Sequence, residues 1–332
     1  MSSQTHPKLG WIEPYCTSGL GSMGLSMSTN LQKHLNATCA PPLHFTNRTL
    51  SRGAPLQELG GVPVPSVSEV LEVSDIVFLS LSDDTALQTI VSQILRPASG
   101  SIAGKIIVDT TTVHPDTTSS ISNTLAEAGA LFVAAPVFGA SPVAATGQLL
   151  FIVAGPKQAL VALEPFVKGV MGRGVIELGE DASKASLMKT SGNFITAAMM
   201  EMVSEAHVFA EKTGLGSGNL EVLIRENYGE LAYTMSKRLT TGAYCPPKGE
   251  RPWSDLGLAI KDVRIGISCA EKAGTRLKVA EVALGHLVEA KGWAEEEEEG
   301  VARMLDSSSM FGVIRRDAGL GFETDGVKER DA

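Results

Sequence analysis

Between residues 43 and 176 short apolar runs alternate with longer stretches of helical character. The runs 43–47, 76–81, 105–109, 131–134 and 149–154 are rich in Val, Ile, Leu and Phe and are bounded by Gly, Pro, Ser or Asp. Runs apolar at nearly every position are strands buried on both faces, so the alternation predicts a mostly parallel sheet covered by helices. One helix carries its own start signal, because Ser66 followed three residues on by Glu69 is a capping box. After about residue 181 the strand rhythm stops. Residues 182–213 hold no proline and predict a helix of roughly 48 Å, with Gly192 its weak point. Further helices are predicted over 219–228, 231–240, 255–273, 276–291 and 300–316. Glu295 to Glu299 read as a solvated turn or helix face. The pattern divides the chain into an α/β domain over 1–180, an all-α domain over 181–319 and a polar, poorly ordered tail over 320–332.

Ahead of the first of those runs, Gly19-Leu20-Gly21-Ser22-Met23-Gly24 has the spacing of a dinucleotide fingerprint. Two glycines permit a tight turn and close approach of backbone to a pyrophosphate, and the third lets the following helix pack on its strand. The fold class is therefore α/β, a Rossmann-type doubly wound sheet followed by an all-α domain, with a long helix joining them. The strand that should feed the glycines directly, Leu9-Gly10-Trp11-Ile12, is instead separated from Gly19 by residues 13–18, which include Pro14. Proline cannot donate within a central strand, so 13–18 reads as an insertion. At the end of the second strand, where NAD-binding folds carry an acid for the ribose 2′-hydroxyl, the chain has Asn47-Arg48-Thr49. A guanidinium flanked by neutral hydrogen-bonding groups suits a 2′-phosphate, which favours NADP over NAD.

At 332 residues, with 43% hydrophobic and 20% charged positions, the chain has the composition of an ordinary globular protein of two domains. Its 28 basic and 37 acidic side chains give −9, which argues against nucleic-acid or anionic-membrane partners. No run of 18 apolar residues is present to span a membrane. Cys16, Cys39, Cys245 and Cys269 lack paired spacing and read as free thiols, which points to a reducing compartment, the cytosol, with mitochondrial import left open. The six histidines make no metal-ligand spacing with Cys, Asp or Glu.

Several ordered segments carry the remaining chemistry. Leu81-Ser82-Asp83-Asp84 follows one strand, and Asp109-Thr110-Thr111-Thr112-Val113-His114-Pro115 follows the next. Pro136-Val137-Phe138-Gly139-Ala140 precedes Gly147-Gln148-Leu149. Lys189-Thr190-Ser191-Gly192-Asn193 opens the long helix, and Lys261-Asp262 lies on a later one. Over about residues 8–318 the chain resembles the β-hydroxyacid dehydrogenase family, which includes 3-hydroxyisobutyrate dehydrogenases and NADPH-linked glyoxylate and succinic semialdehyde reductases. The resemblance implies that Leu81, Ser82, Thr112 and Lys261 contact the cofactor, and that Thr111, Phe138, Gly139 and Ala140 face the substrate. Family members hold a substrate carboxylate on a Ser-Gly-Gly stretch, and here Phe138 and Ala140 replace the serine and the second glycine.

Lys189 and Asn193, four residues apart, share one helical face. Hydride transfer to a carbonyl leaves negative charge on oxygen, which needs a proton donor and a fixed hydrogen bond. Lys189 fits the general acid/base and Asn193 the orienting group. Lys184 reads as a surface residue and Asp262 as a helix–helix hydrogen-bond partner, and a proton-transfer role for His114 is the weaker assignment. The expected function is an NADP-dependent oxidoreductase acting on CH–OH groups, interconverting a small β-hydroxyacid or related alcohol and its aldehyde or ketone. An imine reductase-like enzyme and an NADP-binding protein without turnover are the alternatives. The helical half is too short for a 6-phosphogluconate dehydrogenase. Family relatives form dimers or tetramers, so a homodimer or homotetramer is expected.

Overall fold

The structure is a computed structural model that describes residues 6–13, 22–47, 49–96, 100–296 and 303–332. The chain forms two compact units, Met1–Lys189 and Thr190–Ala332. Gly19, Leu20, Gly21, Arg48 and residues 14–18 lie outside the described residues.

The first unit runs β1 (Leu9–Glu13), α1 (Ser22–Ala37), β2 (His44–Asn47), α2 (Ala54–Glu58), β3 (Val62–Pro63), α3 (Val67–Val73), β4 (Ile76–Leu79), α4 (Asp84–Ile94), β5 (Ile106–Asp109), α5 (Pro115–Glu127) and β6 (Leu131–Ala134). It continues with β7 (Val137–Phe138), α6 (Ser141–Ala145), β8 (Leu149–Val153), α7 (Lys157–Val167) and β9 (Gly172–Glu177). Six strands form a wholly parallel sheet in the order β3-β2-β1-β4-β5-β6, the doubly wound arrangement the sequence predicts. Register places Trp11 beside both Phe45 and Phe78, all fully buried, with the Trp11 and Phe78 rings stacked at 5.5 Å between centroids. Ser66 accepts from the Glu69 N–H at 3.2 Å, closing the cap of α3.

Two expectations for this unit need correction. The run 149–154 does not extend the parallel sheet: β8 pairs antiparallel with β7 and parallel with β9 in a three-stranded sheet, and the run meets β6 through an antiparallel bridge between Ala154 and Ala134. The two-residue β7 is too short to show a period, and the polar, mostly exposed β9 offers no apolar run to read. Glu13, taken from sequence as the first residue of an insertion, is instead the last residue of β1, in register with Asn47 and buried.

Helix α8 (Ser183–Lys212) begins in the first unit and continues into the second without a break at Gly192. After it come α9 (Ser217–Leu223), a π-helical turn (Ile224–Tyr228), α10 (Gly229–Thr240), α11 (Leu256–Lys272), α12 (Lys278–Glu296), α13 (Met310–Asp317) and α14 (Asp325–Asp331). Met200, Leu239, Tyr244, Leu287 and Phe311 belong to the core of this second unit. The helix expected over 300–316 starts only at Met310. Asp306 is the cause, since its carboxylate accepts from the Ser308 N–H at 2.9 Å and the Ser308 hydroxyl at 2.5 Å, a local turn that competes with helix.

The last thirteen residues are not a loose tail. Phe322 is buried and stacks on Trp293 at 3.7 Å between centroids, and a β-carbon on Gly312 would lie 2.6 Å from that phenyl ring. The Tyr244 hydroxyl donates to the Phe322 carbonyl at 3.0 Å and accepts from the Thr324 N–H at 2.8 Å. Arg303 pairs with Glu323 at 2.6 Å and with Asp331, and Val327 is buried. Only Phe322 and Val327 are large apolar residues in this stretch after Leu320, and partners far off in sequence hold them, so composition gave no sign of order.

Candidate active site at the strand ends

Open parallel sheets bind ligands beyond the carboxyl ends of their strands, where strand order reverses, which here is between β1 and β4. Ser22 opens α1, Met23 packs against the sheet's core, and Gly24 lies against Glu13. A β-carbon at 24 would sit 1.9 Å from the Glu13 carboxylate, so only glycine allows helix and strand to approach this closely. At the end of β2 the Asn47 side chain is buried, and its Nδ2 donates to the Thr49 carbonyl at 3.2 Å. Its Oδ1 is buried with no partner among the described residues, and such an orphan calls for a ligand or a water. Thr49 is exposed. The close strand–helix packing and the orphaned acceptor both fit a dinucleotide lying across these strand ends.

The turns after β4 and β5 are tied together. The Thr111 hydroxyl, expected to face substrate, accepts from the Leu81 N–H at 3.1 Å, and Thr111 N–H donates to Asp109 at 3.0 Å. Thr111 therefore shapes the Leu81-Ser82 turn. Ser82 donates to Asp83 at 2.7 Å, and Asp83 caps α4 by accepting from the Ala86 N–H. Thr112 is half-buried beside them in sequence. His114 caps α5 through its Nδ1, which accepts from the Asp116 N–H at 3.1 Å, while its backbone N–H donates to Asp84 at 3.0 Å.

Phe138 ends β7, opposite Leu150 of β8. Gly139 has φ +132°, and a β-carbon there would meet Leu149 at 2.7 Å, which fixes glycine at this turn. Ala140 caps α6 without a side-chain hydrogen bond. The Lys189 ammonium lies over the Phe138 ring, 4.3 Å from its centroid. Ala182 and Ala185 are buried in the sheet's second core cluster, and the Ser186 hydroxyl bonds that of Thr118 at 2.7 Å, so the first turns of α8 are anchored where Lys189 leaves them.

Within the second unit, Asn193 donates from Nδ2 to Asp262 at 2.8 Å, and Asp262 pairs with Lys261 at 3.0 Å. Asn193 and Asp262 line a cavity of about 90 Å³ together with Arg238, Met200, Leu287 and Met310. Arg238 escaped sequence reading because it belongs to no motif and lies 45 positions from Asn193. Among the described residues no cluster of three or more His, Cys, Asp or Glu is placed to hold a metal ion.

Residues 15–179 match the family described as the NAD binding domain of 6-phosphogluconate dehydrogenase. An NADH-dependent oxidoreductase of Aspergillus ustus, ucdB, is 33% identical over 304 residues, spanning 91% of this chain and 99% of that protein. Glyoxylate/succinic semialdehyde reductase 1 of Arabidopsis thaliana is 30% identical over 265 residues, spanning 80% of this chain and 88% of that protein. The solved 3-hydroxyisobutyrate dehydrogenase of Mycobacterium tuberculosis with L-serine superposes with a TM-score of 0.73, at 20% identity, over 93% of this chain and 99% of its own, a likeness of fold.

Proposed function

The chain belongs to the β-hydroxyacid dehydrogenase family of NAD(P)-dependent oxidoreductases, and on that premise we propose that it reduces a small aldehyde or ketone, with Lys189 as proton donor and Asn193 as orienting group. The observation that carries the reading is Lys189 itself, held over Phe138 on a helix whose first turns are buried and hydrogen-bonded. A bound nicotinamide dinucleotide supplies or removes the hydride. Lys189 gives a proton to the oxygen as charge develops on it, and takes that proton back in the oxidative direction. Asn193, with one amide hydrogen fixed on Asp262, presents its remaining polar atoms in a set orientation and does not compete for the proton. Nucleotide oxidation in the presence of glyoxylate, succinic semialdehyde and uncharged aldehydes and ketones tests the activity. Tight nucleotide binding with no turnover across that panel would favour a binding protein without catalysis.

NADP is the proposed cofactor because no acid ends β2, where Asn47-Arg48-Thr49 stands. Replacing Arg48 by alanine should weaken NADPH by about 1.5–3 kcal/mol, the range for a hydrogen bond to a charged group, and leave NADH nearly unchanged. Titration of both nucleotides checks this, and equal losses would reject the assignment.

A homodimer through α8 is the proposed assembly, with a homotetramer as its extension. Met188, Ile195, Met202 and Phe209 recur every seven residues along that helix and are 40%, 56%, 60% and 67% exposed. A seven-residue apolar repeat keeps one seam of a helix facing a partner, and large apolar side chains in a row are costly to leave in water. Light scattering at micromolar concentrations should give at least twice the monomer mass, and the double change Met202→Glu with Phe209→Glu should return it to monomer. A wild-type monomer throughout would contradict the assembly.

A further inference from the structure

Residues 138–140, the segment that the family resemblance sets toward the substrate, contain no side-chain hydrogen-bond donor. Phe138 offers an aromatic ring, Gly139 nothing and Ala140 a methyl group. The segment is also fixed: Phe138 packs against the buried cluster that includes Ile152, Ala154 and Ala185, and Gly139 is held at φ +132° against Leu149 and Val143. A carboxylate brought to such a surface loses water and gains no hydrogen bond from these three side chains, and the face of an aromatic ring carries partial negative charge that repels it. The same negative face attracts the Lys189 ammonium, 4.3 Å away. An anion bound beside this lysine would draw the ammonium into an ion pair and away from the carbonyl oxygen it is to protonate. A neutral substrate leaves the cation on its ring, with a proton to give.

We propose that Phe138 determines specificity, and that the carbonyl substrate is uncharged, carrying an apolar or aromatic group where a hydroxyacid substrate carries its carboxylate. The inference rests on the assignment of Lys189 as proton donor. Phe138 does two things in it. The ring excludes an anion from the place beside the carbonyl, and it helps hold the lysine in position. Phe138 is thus also a positioning residue for Lys189.

Two compounds that differ by esterification of the carboxylate, succinic semialdehyde and its methyl ester, test the proposal on the full-length protein with its reduced nucleotide. Wild type should show kcat/KM for the ester about tenfold or more above that for the acid, the rate equivalent of one unmade hydrogen bond. Phe138→Ser, which restores a donor, should narrow or reverse that ratio. Phe138→Leu keeps apolar bulk without a ring, so the ester should stay preferred while kcat falls for both compounds. A wild type that reduces the acid as well as the ester overturns the proposal and leaves the oxidoreductase reading intact. A Phe138→Leu enzyme with unchanged kcat overturns the positioning role. Calorimetry with the hydroxyacid product and its methyl ester, in the presence of oxidised nucleotide, reads the same preference without turnover. Tighter binding of the acid there refutes the proposal, and absence of any nucleotide-dependent turnover alongside ester-selective binding refutes only the catalytic reading.

Discussion

Replacing Lys189 by methionine should leave nucleotide affinity near its original value and lower turnover by about a hundredfold to ten-thousandfold, the usual range for loss of a general acid. Methionine keeps the length of the stem, and its sulfur makes a favourable contact with an aromatic ring, so the side chain can stay over Phe138. The anchors of α8, Ala182, Ala185 and the Ser186–Thr118 hydrogen bond, are untouched. What disappears is the transferable proton and the positive charge beside the forming alkoxide, and both losses fall on kcat. Asn193→Ala should cost less, because water partly replaces an orienting hydrogen bond. Steady-state kinetics on the best substrate, with nucleotide titration in parallel, separates the effects. If Lys189→Met kept turnover within a few-fold of wild type, the proton would have another source, a bound water or His114.

The largest loss of stability is expected at Asp306, where no chemistry is assigned. Its carboxylate is fully buried and accepts from Arg238, from the Ser254 N–H at 2.9 Å and from both the N–H and hydroxyl of Ser308. Asp306→Ala would leave the buried Arg238 guanidinium without its counter-charge and two backbone donors without an acceptor. Breaking a buried pair from one side costs about 3–5 kcal/mol. The midpoint of denaturant unfolding should fall accordingly, and Asp306→Asn, which keeps an acceptor oxygen, should lose less. A loss below about 1 kcal/mol would show that Arg238 recruits water or turns outward. Arg238 also lines the cavity that holds Asn193, so the alanine variant should disturb the surroundings of that amide as well.

Much of the first unit could be read in advance because its strands are buried on both faces and therefore carry near-continuous apolar runs, as in 76–81 and 105–109. The helix that carries Lys189 and Asn193 was legible for a similar reason, since a long stretch without proline permits one and a spacing of four on it is a statement about one face. What stayed hidden was decided by neighbours distant in sequence. Thr111 looked like a free hydroxyl until Leu81, thirty residues before it, was found to occupy that oxygen. The helix expected over 300–316 lost its first turns to a carboxylate that bonds Ser308 and pairs with Arg238. Residues after 319 looked too polar to pack, yet Phe322 needs only Trp293 on one side and a bare Gly312 on the other. Pairwise fits of this kind leave no periodic trace.

The same ring contacts give the molecule its own optical reporters. Of the three tryptophans, Trp11 is buried in the first unit against Phe78, Trp293 is stacked on Phe322 in the second, and Trp253 is 42% exposed. Two units need not melt in one transition, and coincidence of independent probes is the test of whether they do. Variants that keep one indole each would report separately on the nucleotide-binding sheet and on the helical unit, with Trp253 as the solvent reference. Trp11 lies in the strand that ends at Glu13, the residue against which Gly24 packs, so its emission, which overlaps the absorption of a reduced nicotinamide, would also register the arrival of the cofactor without any added dye.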